Sequence, residues 1–329
     1  MKRTVALIYG GEGFEHDISC IGAENINGMI DRSQYDVMRI FISKSGEWFI
    51  EDEEEKIPTF PVFINGNSGF IANGKIKTAD VAIPLLHGDR GEDGAIMGAL
   101  STAHIKLVGC GVLAGAVCAD KVCTKIIADA LNIPTAKWIF STDETYDSVI
   151  ENAESALGYP MFIKPSALGS SIGISRVSCR EEFKTAYKKA RALSERVLIE
   201  EAVNVRRELE CAYLGASGKS CFKIGEVMSG GNFYDFDKKY RFPTKTKTEV
   251  TGKDVESSVT ALTKKLKHAI GIKQMSRFDF FLTEDGKILF NEINTFPGMT
   301  KTSLYPLLTL KMGFSEGEFI NSLIAEALI

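Results

Sequence analysis

Several features are missing from this chain, and each absence excludes something. None of its 329 residues falls in an apolar run approaching the ~18 residues of a membrane span, so no transmembrane helix is expected. The start, MKRTVALIYGGEGFEHD, has a strand-length apolar run and then charge, without a signal-peptide core or cleavage site. The seven cysteines (Cys20, Cys110, Cys118, Cys123, Cys179, Cys211, Cys221) are scattered, form no CxxC pair and have no His partners at zinc spacing. Reduced thiols in a cytoplasmic protein are the expectation. Net charge is only −4, which gives no overall sign of a nucleic-acid binder. The glycines of IKPSALGSSIGIS are not followed by GKS/T, so that stretch is not a Walker A loop. Gly11-x-Gly13 lacks the third glycine of a dinucleotide fingerprint, since His16 stands there, which weakens an NAD(P) oxidoreductase reading. No internal repeat or low-complexity linker is found.

What remains is an ordinary globular composition, 44% hydrophobic and 25% charged, at a length suited to two or three domains. TVALIY (4–9), YDVMRIFIS from Tyr35, DVAIPLLHG (80–88) and KLVGCG (106–111) read as strands. Helical stretches from about Ile18 to Ile30 and through GAIMGALSTAHI alternate with them, which predicts a doubly wound α/β domain over residues 1–115. EDEEEK (51–56) reads as a solvated turn. A second unit, 116–210, holds a helix ending before Pro134, strands around PMFIKPSALGSSIGISRV, a helix at 180–193 and the strand RVLIEEAV. A third, 211–329, holds an irregular stretch at 228–253, a helix at 254–271, a hairpin and a helical end.

Five stretches carry chemistry. In RFDFFLTEDGKILFNEINTFPGMT (277–300), two strand-like runs flank the turn TEDG, with Asp279, Glu292 and Asn294 inside them. Acids within such runs either face water or need a cation, and three converging oxygen donors suit Mg²⁺ beside phosphates. IKPSALGSSIGIS ends a strand at Lys164 and offers a loop of backbone N–H groups and hydroxyls, suited to phosphates or to a plain hairpin turn. GGNFYDFDKKYRFPTKTKTEV concentrates Lys238, Lys239, Arg241, Lys245 and Lys247 among aromatics, the composition of a basic lid or of an exposed loop. LLHGDRGEDG and GGEGFEHDIS place His and acids just after strands, where open α/β sheets bind ligands.

Taken in order, GGEGFEHDIS, HGDRGEDG, IKPSALGSSIGIS, FYDFDKKY and RFDFFL…NEINTFPGMTKTSL resemble the ATP-grasp enzymes, specifically the D-alanine–D-alanine ligases, over essentially the whole chain. The resemblance implies an ATP-grasp fold preceded by the doubly wound N-terminal domain. It implies phosphorylation of one D-alanine's carboxylate by ATP and attack of a second D-alanine's amine on the acyl phosphate, for peptidoglycan precursors. By the same resemblance Asp279, Glu292 and Asn294 hold two Mg²⁺ ions, or Mn²⁺, and Lys121, Lys164 and Lys239 bind phosphates. Glu200 and Glu208 match the residues at adenine and ribose, with one extra residue between them here. Glu15 matches the group holding the first D-alanine's ammonium, with His87 nearby, and Ser170 and Tyr240 link loop and lid to it. Arg277 and the Gly298 N–H match an oxyanion pair, while Ser303 and the Leu304 N–H match the group holding the second substrate's carboxylate. A homodimer acting on small molecules in the cytoplasm, with neither nucleic-acid nor membrane partners, completes the expectation.

Two positions depart from the family pattern: Met97 replaces a common glutamine, and Leu168 occupies an often acidic loop position. The family includes vancomycin-resistance ligases that add D-serine or D-lactate. Retention of Tyr240 argues against D-lactate. Leu304 stands where resistance-type ligases often carry arginine, an apolar neighbour suited to a methyl group, and D-serine stays open as the alternative. A nucleotide-binding module without turnover is disfavoured, because a pure binder has no need of Arg277.

Overall fold

The computed structural model describes residues 2–52, 55–88, 90–142, 144–216, 218–228, 245–248 and 252–329. Residues 229–244, with Lys239 and Tyr240, lie outside them, so the lid expectation is not addressed by the described structure.

The N-terminal part comprises β1 (Arg3–Gly10), α1 (His16–Met29), β2 (Tyr35–Ile42), β3 (Trp48–Glu51), β4 (Lys56–Pro58), β5 (Phe60–Ile64), β6 (Asn67–Ala72), β7 (Lys75–Thr78), β8 (Val81–Leu85), α2 (Ala95–Thr102) and β9 (Lys106–Leu107). Its six-stranded sheet runs β4-β3-β2-β1-β8-β9. The four strands from β2 to β9 are parallel, and β3 and β4 are added antiparallel at one edge. β1 is buried on both faces, as a central parallel strand must be. Val5 and Leu7 pack toward Ala23 and Ile26 of α1, whereas Ala6 and Ile8 share a core with Ile96, Met97 and Leu100 of α2. Helices on both faces make the domain doubly wound. The meander β5-β6-β7, which no sequence expectation covers, adds Phe70 and Ala72 to the α2 side.

The chain continues through α3 (Val112–Ala119), α4 (Lys121–Ala130), β10 (Trp138–Ser141), α5 (Tyr146–Ala156), β11 (Met161–Pro165), β12 (Ser175–Val177), α6 (Arg180–Arg191) and β13 (Val197–Glu201). The antiparallel sheet β10-β13-β11-β12 lays Ile163 and Ile199 against α5 and α6. Phe162, Lys164 and Glu200 line the opposite side, on a cavity.

Last come β14 (Val205–Ala216), β15 (Lys219–Met228), β16 (Lys245–Lys247), α7 (Lys253–Ile270), β17 (Met275–Thr283), β18 (Ile288–Asn294), α8 (Leu304–Lys311) and α9 (Glu316–Leu328). The five-stranded sheet is β16-β15-β14-β17-β18. The division at 210/211 read from the sequence cuts β14, whose whole ladder belongs to this sheet; the change of sheet falls between Glu201 and Val205. The helical end expected from Ser303 consists of two helices, with Gly313 in the left-handed region between them and a Ser315–Glu318 capping box opening α9. On one face of β14 the even positions change character along the strand. Ala212, Leu214 and Ala216 join α8, α9 and the N-terminal sheet in one core, while Glu208 and Glu210 line the cavity. None of the described helices is long and apolar enough to cross a membrane. All seven cysteines are free.

Candidate active site

The hairpin β17–β18 forms one wall. Asp279 stands opposite Glu292 and Arg277 opposite Asn294, but Phe280 pairs with Phe290, so Asn291 is an extra residue. This bulge matters because regular alternation would put Phe290, Glu292 and Asn294 on one face. With the extra residue, Phe290 joins Phe278 and Phe280 in the core while Glu292 takes its place beside Asp279. Arg277 forks onto Asp279, with Nε to Oδ1 and Nη2 to Oδ2 both 2.7 Å, and its Nε lies 3.4 Å from Glu210 Oε2. Burial works against the guanidinium, yet Asp279, Glu210 and Glu292 outweigh it and hold Arg277 charged. Asn294 Nδ2 donates to Asp279 Oδ2 at 3.3 Å, and Lys121 Nζ lies 3.4 Å from Glu292 Oε2.

The opposite wall is built on α4 and the four-stranded sheet. Asp120 caps α4 through the Cys123 N–H (2.9 Å), accepts from Ser166 Oγ (2.8 Å) and pairs with Arg196 (2.6 Å). That clamp fixes the end of β11 to the start of α4. Lys121 donates to the Leu168 carbonyl, so an acidic side chain at 168 is not needed to hold it. Glu200 is bound by two lysines, Lys125 and Lys164, one at each oxygen. Burial would raise the Glu200 pKa, but the two ammonium groups overcome it and hold it at about 2. The loop after Lys164 places Ser170 and Ser171 at φ 52° and 59°, both in the left-handed region.

A third set comes from the N-terminal domain. Glu15 opens α1, and its Oε1 accepts from Ser170 Oγ at 2.5 Å. A Cβ on Gly88 or Gly169 would sit 3.5 or 3.7 Å from Glu15 Oε2, so the carboxylate lies where three loops meet. His87 is buried, and among the described residues its Nε2 has no hydrogen-bond partner. Burial depresses its pKa, Arg277 adds to that and Glu15 opposes it. Glu92 accepts the Gly88 N–H at 3.0 Å; burial and then Glu15 raise its pKa to about 7. Ser303 stands at the N-cap position of α8 without a side-chain capping bond; its hydroxyl bonds instead to the Thr300 N–H (3.2 Å) and hydroxyl (2.8 Å), and a Cβ on Gly298 would meet its Oγ at 3.0 Å. Leu304 does not offer its side chain to a ligand. It is buried in the core against Gly225, because the inward face of α8 needs an apolar anchor there, and what remains is its backbone N–H.

Between the two sheets lies a cavity of about 890 Å³, lined by Lys121, Lys164, Glu200, Glu208, Asp279 and Glu292 among others. That volume suits a nucleotide-sized ligand. Two facing carboxylates and an amide are hard oxygen donors of the type Mg²⁺ takes. Among the described residues no cluster of three or more acid, His or Cys side chains is placed to hold a metal, so the donor set is this smaller one. Asp279 and Glu292, each compensated by a cation here, fit a divalent ion.

Sequence reasoning gave no role to Lys125, Glu210 or Glu92. Lys125 follows Lys121 by one turn on the apolar face of α4, which was a readable signal; Glu210 needed the ladder register. Glu92 lay within a quoted motif. Met97 packs in the α2 core, so packing replaces any polar contact at that position.

The family model described as D-ala D-ala ligase N-terminus matches residues 4–110, and that described as D-ala D-ala ligase C-terminus matches residues 127–325. A curated D-alanine–D-alanine ligase of Acetivibrio thermocellus is 37% identical, the match covering 98% of this chain and 95% of the relative. Among solved structures, the VanG D-Ala:D-Ser ligase of Enterococcus faecalis superposes with a TM-score of 0.90 at 29% identity, covering 99% of this chain and 100% of that one. The D-alanine-D-alanine ligase of Coxiella burnetii superposes at 0.89 with 28% identity, covering 99% and 94%. This chain belongs to the D-alanine–D-alanine ligase family and carries its ATP-grasp fold.

Proposed function

We propose that this chain joins two D-alanines into D-alanyl-D-alanine with ATP, through a D-alanyl phosphate. One observation carries the reading: the lysine-lined cavity between the sheets ends at the Arg277–Asp279 wall, and Glu15, touching Ser170, lies beside the Gly88 and Gly169 loops. A phosphate site and an ammonium site therefore adjoin.

In this reading Glu208 and the wall around Glu200 receive ribose and adenine, and Lys121, Lys164 and Lys239 neutralise phosphates. Asp279, Glu292 and Asn294 would hold Mg²⁺, or Mn²⁺, which supplies charge neutralisation at the transferring phosphoryl group when bound. Glu15 holds the first D-alanine's ammonium, so its carboxylate oxygen points at the γ-phosphorus. The O–P bond forms, ADP departs, and a carboxylate that would have had to expel oxide now carries a phosphate leaving group. Ser303 and the Leu304 N–H hold the carboxylate of the second D-alanine, whose free amine attacks the acyl carbon. Arg277 and the Gly298 N–H take the charge that develops on the carbonyl oxygen. The tetrahedral species collapses, phosphate leaves, and the nitrogen gives up its proton. His87, its pKa lowered by burial, sits beside this centre. Tyr240, outside the described residues, is assigned by the resemblance to link with Ser170 and Glu15 over the site. Three units, a substrate-side domain followed by two ATP-grasp halves, assemble as a cytoplasmic homodimer supplying peptidoglycan synthesis.

The test is formation of ADP and dipeptide from D-alanine, ATP and Mg²⁺, with the product identified by mass. No dipeptide from any D-amino acid would sink the reading. The similarity to VanG favours a second reading, D-serine as the second substrate. Equimolar D-alanine and D-serine in one reaction decide between them by product ratio.

A further inference from the structure

We propose that Lys125 is a positioning residue: its ammonium occupies Glu200 so that the charge of Lys164 stays available to the phosphates of a nucleotide. The inference rests on the nucleotide reading of the cavity. Lys125 has a side chain 2% exposed and does not line the cavity, whereas Lys164 and Glu200 do. Lys125 therefore acts through its neighbours rather than on a ligand. Its Nζ meets Glu200 Oε1, and Lys164 Nζ meets Oε2, so two cations share one anion and the cluster keeps one net positive charge.

A buried ammonium is tolerated only when paired, and Glu200 supplies the pair. Without Lys125, the remaining Glu200 and Lys164 would close into a neutral buried pair. A phosphate would then have to compete with the carboxylate for the Lys164 ammonium. With Lys125 present, Glu200 is already compensated, and the surplus charge sits on the lysine that faces the cavity. The carboxylate held at about 2 is consistent with two ammonium groups acting on it together. Burial lowers the Lys125 pKa and Glu200 resists that, as expected of a cation placed for its carboxylate and not for solvent.

The experiment measures calorimetric affinities for ADP and adenosine in the wild type, K125M, K125R and K125M/E200Q. The readout is affinity for ADP relative to adenosine, which isolates the phosphates. K125M should lower that ratio roughly tenfold or more, the scale of a close charge pair. K125R should stay within roughly threefold of wild type, and K125M/E200Q should recover to within roughly threefold, because no anion then holds Lys164. K125Q gives the same readout if K125M does not fold. A merely structural role lowers both affinities and the Tm together and leaves the ratio unchanged; that result overturns the proposal, as does a double variant that fails to recover. A wild type that binds ADP beside a K125M with an unchanged ratio refutes this inference alone. A wild type with no affinity for ADP refutes the nucleotide reading and the inference with it.

Discussion

Replacing Arg277 with alanine probes stability and chemistry at one position. The guanidinium makes two parallel bonds of 2.7 Å to Asp279 and lies 3.4 Å from Glu210. Charge-assisted bonds of this kind contribute about 1.5–3 kcal/mol each, so losing the fork costs about 3–6 kcal/mol. Breaking a largely buried pair such as this one, with side chains 17% and 14% exposed, from one side gives a similar figure, about 3–5 kcal/mol, because the acids are left without their cation. R277A should therefore lower the unfolding free energy from urea titration by about 3–5 kcal/mol, and R277K, which keeps the charge without the fork, by about half of that. Adding D279N to R277A should recover part of the stability by removing the stranded charge. It should not recover turnover: loss of an oxyanion donor costs about 10²–10³ in kcat. Dipeptide formation at saturating D-alanine and ATP measures that. If R277A turned over within about threefold of wild type, Arg277 would have no part in stabilising charge at the acyl carbon. A stability loss below about 1 kcal/mol would contradict the part-buried fork instead.

Gly298→Ala places a Cβ 3.0 Å from Ser303 Oγ, which must shift; KM for the second D-alanine should rise about tenfold with little change in Tm, and an unchanged KM would separate Ser303 from that subsite. For Glu92, with its pKa raised to about 7, the folded state holds a proton that the unfolded chain has already lost. Its contribution to stability is thus complete below the ordinary carboxylate range and declines as pH rises toward 7. E92Q should remove that slope and exceed the wild type by about 2 kcal/mol at pH 8, and an E92Q-to-wild-type difference in unfolding free energy that is the same at pH 5 and 8 by urea titration would contradict the shift. Removing divalent ions with EDTA should abolish dipeptide formation, with Mg²⁺ or Mn²⁺ restoring it. In thermal shift, Mg²⁺-ADP should raise the wild-type Tm, but D279N should lose most of that rise; an equal rise would remove Asp279 from the metal set.

How much of this was readable before the structure depends on whether the chemistry was local. The four strands β1, β2, β8 and β9 and the helices α1 and α2 follow from apolar runs and their periodicity, so the doubly wound sheet was legible. The meander β5–β7 was not, because its half-exposed strands have no clean alternation to mark them. At the site, residue types were legible and geometry was not. Alternation along β18 predicts Phe290 beside Glu292 and Asn294, and only the bulge at Asn291 sends the phenylalanine inward and the acid to Asp279. Leu304 shows the converse. Its position beside Ser303 suggested a substrate contact, but the packing of α8 on Gly225 claims the side chain and leaves only the N–H. Helix α4 joins these lessons, because its two lysines one turn apart reach different sheets: Lys121 to Glu292 on β18 and Lys125 to Glu200 on β13. Periodicity places both on one face, yet their partners are fixed by the way the two sheets close on the cavity. A window of sequence around α4 cannot contain that distinction. It belongs to strands roughly 75 and 170 residues further along the chain, and only their pairing assigns one lysine to the ligand and the other to its neighbour.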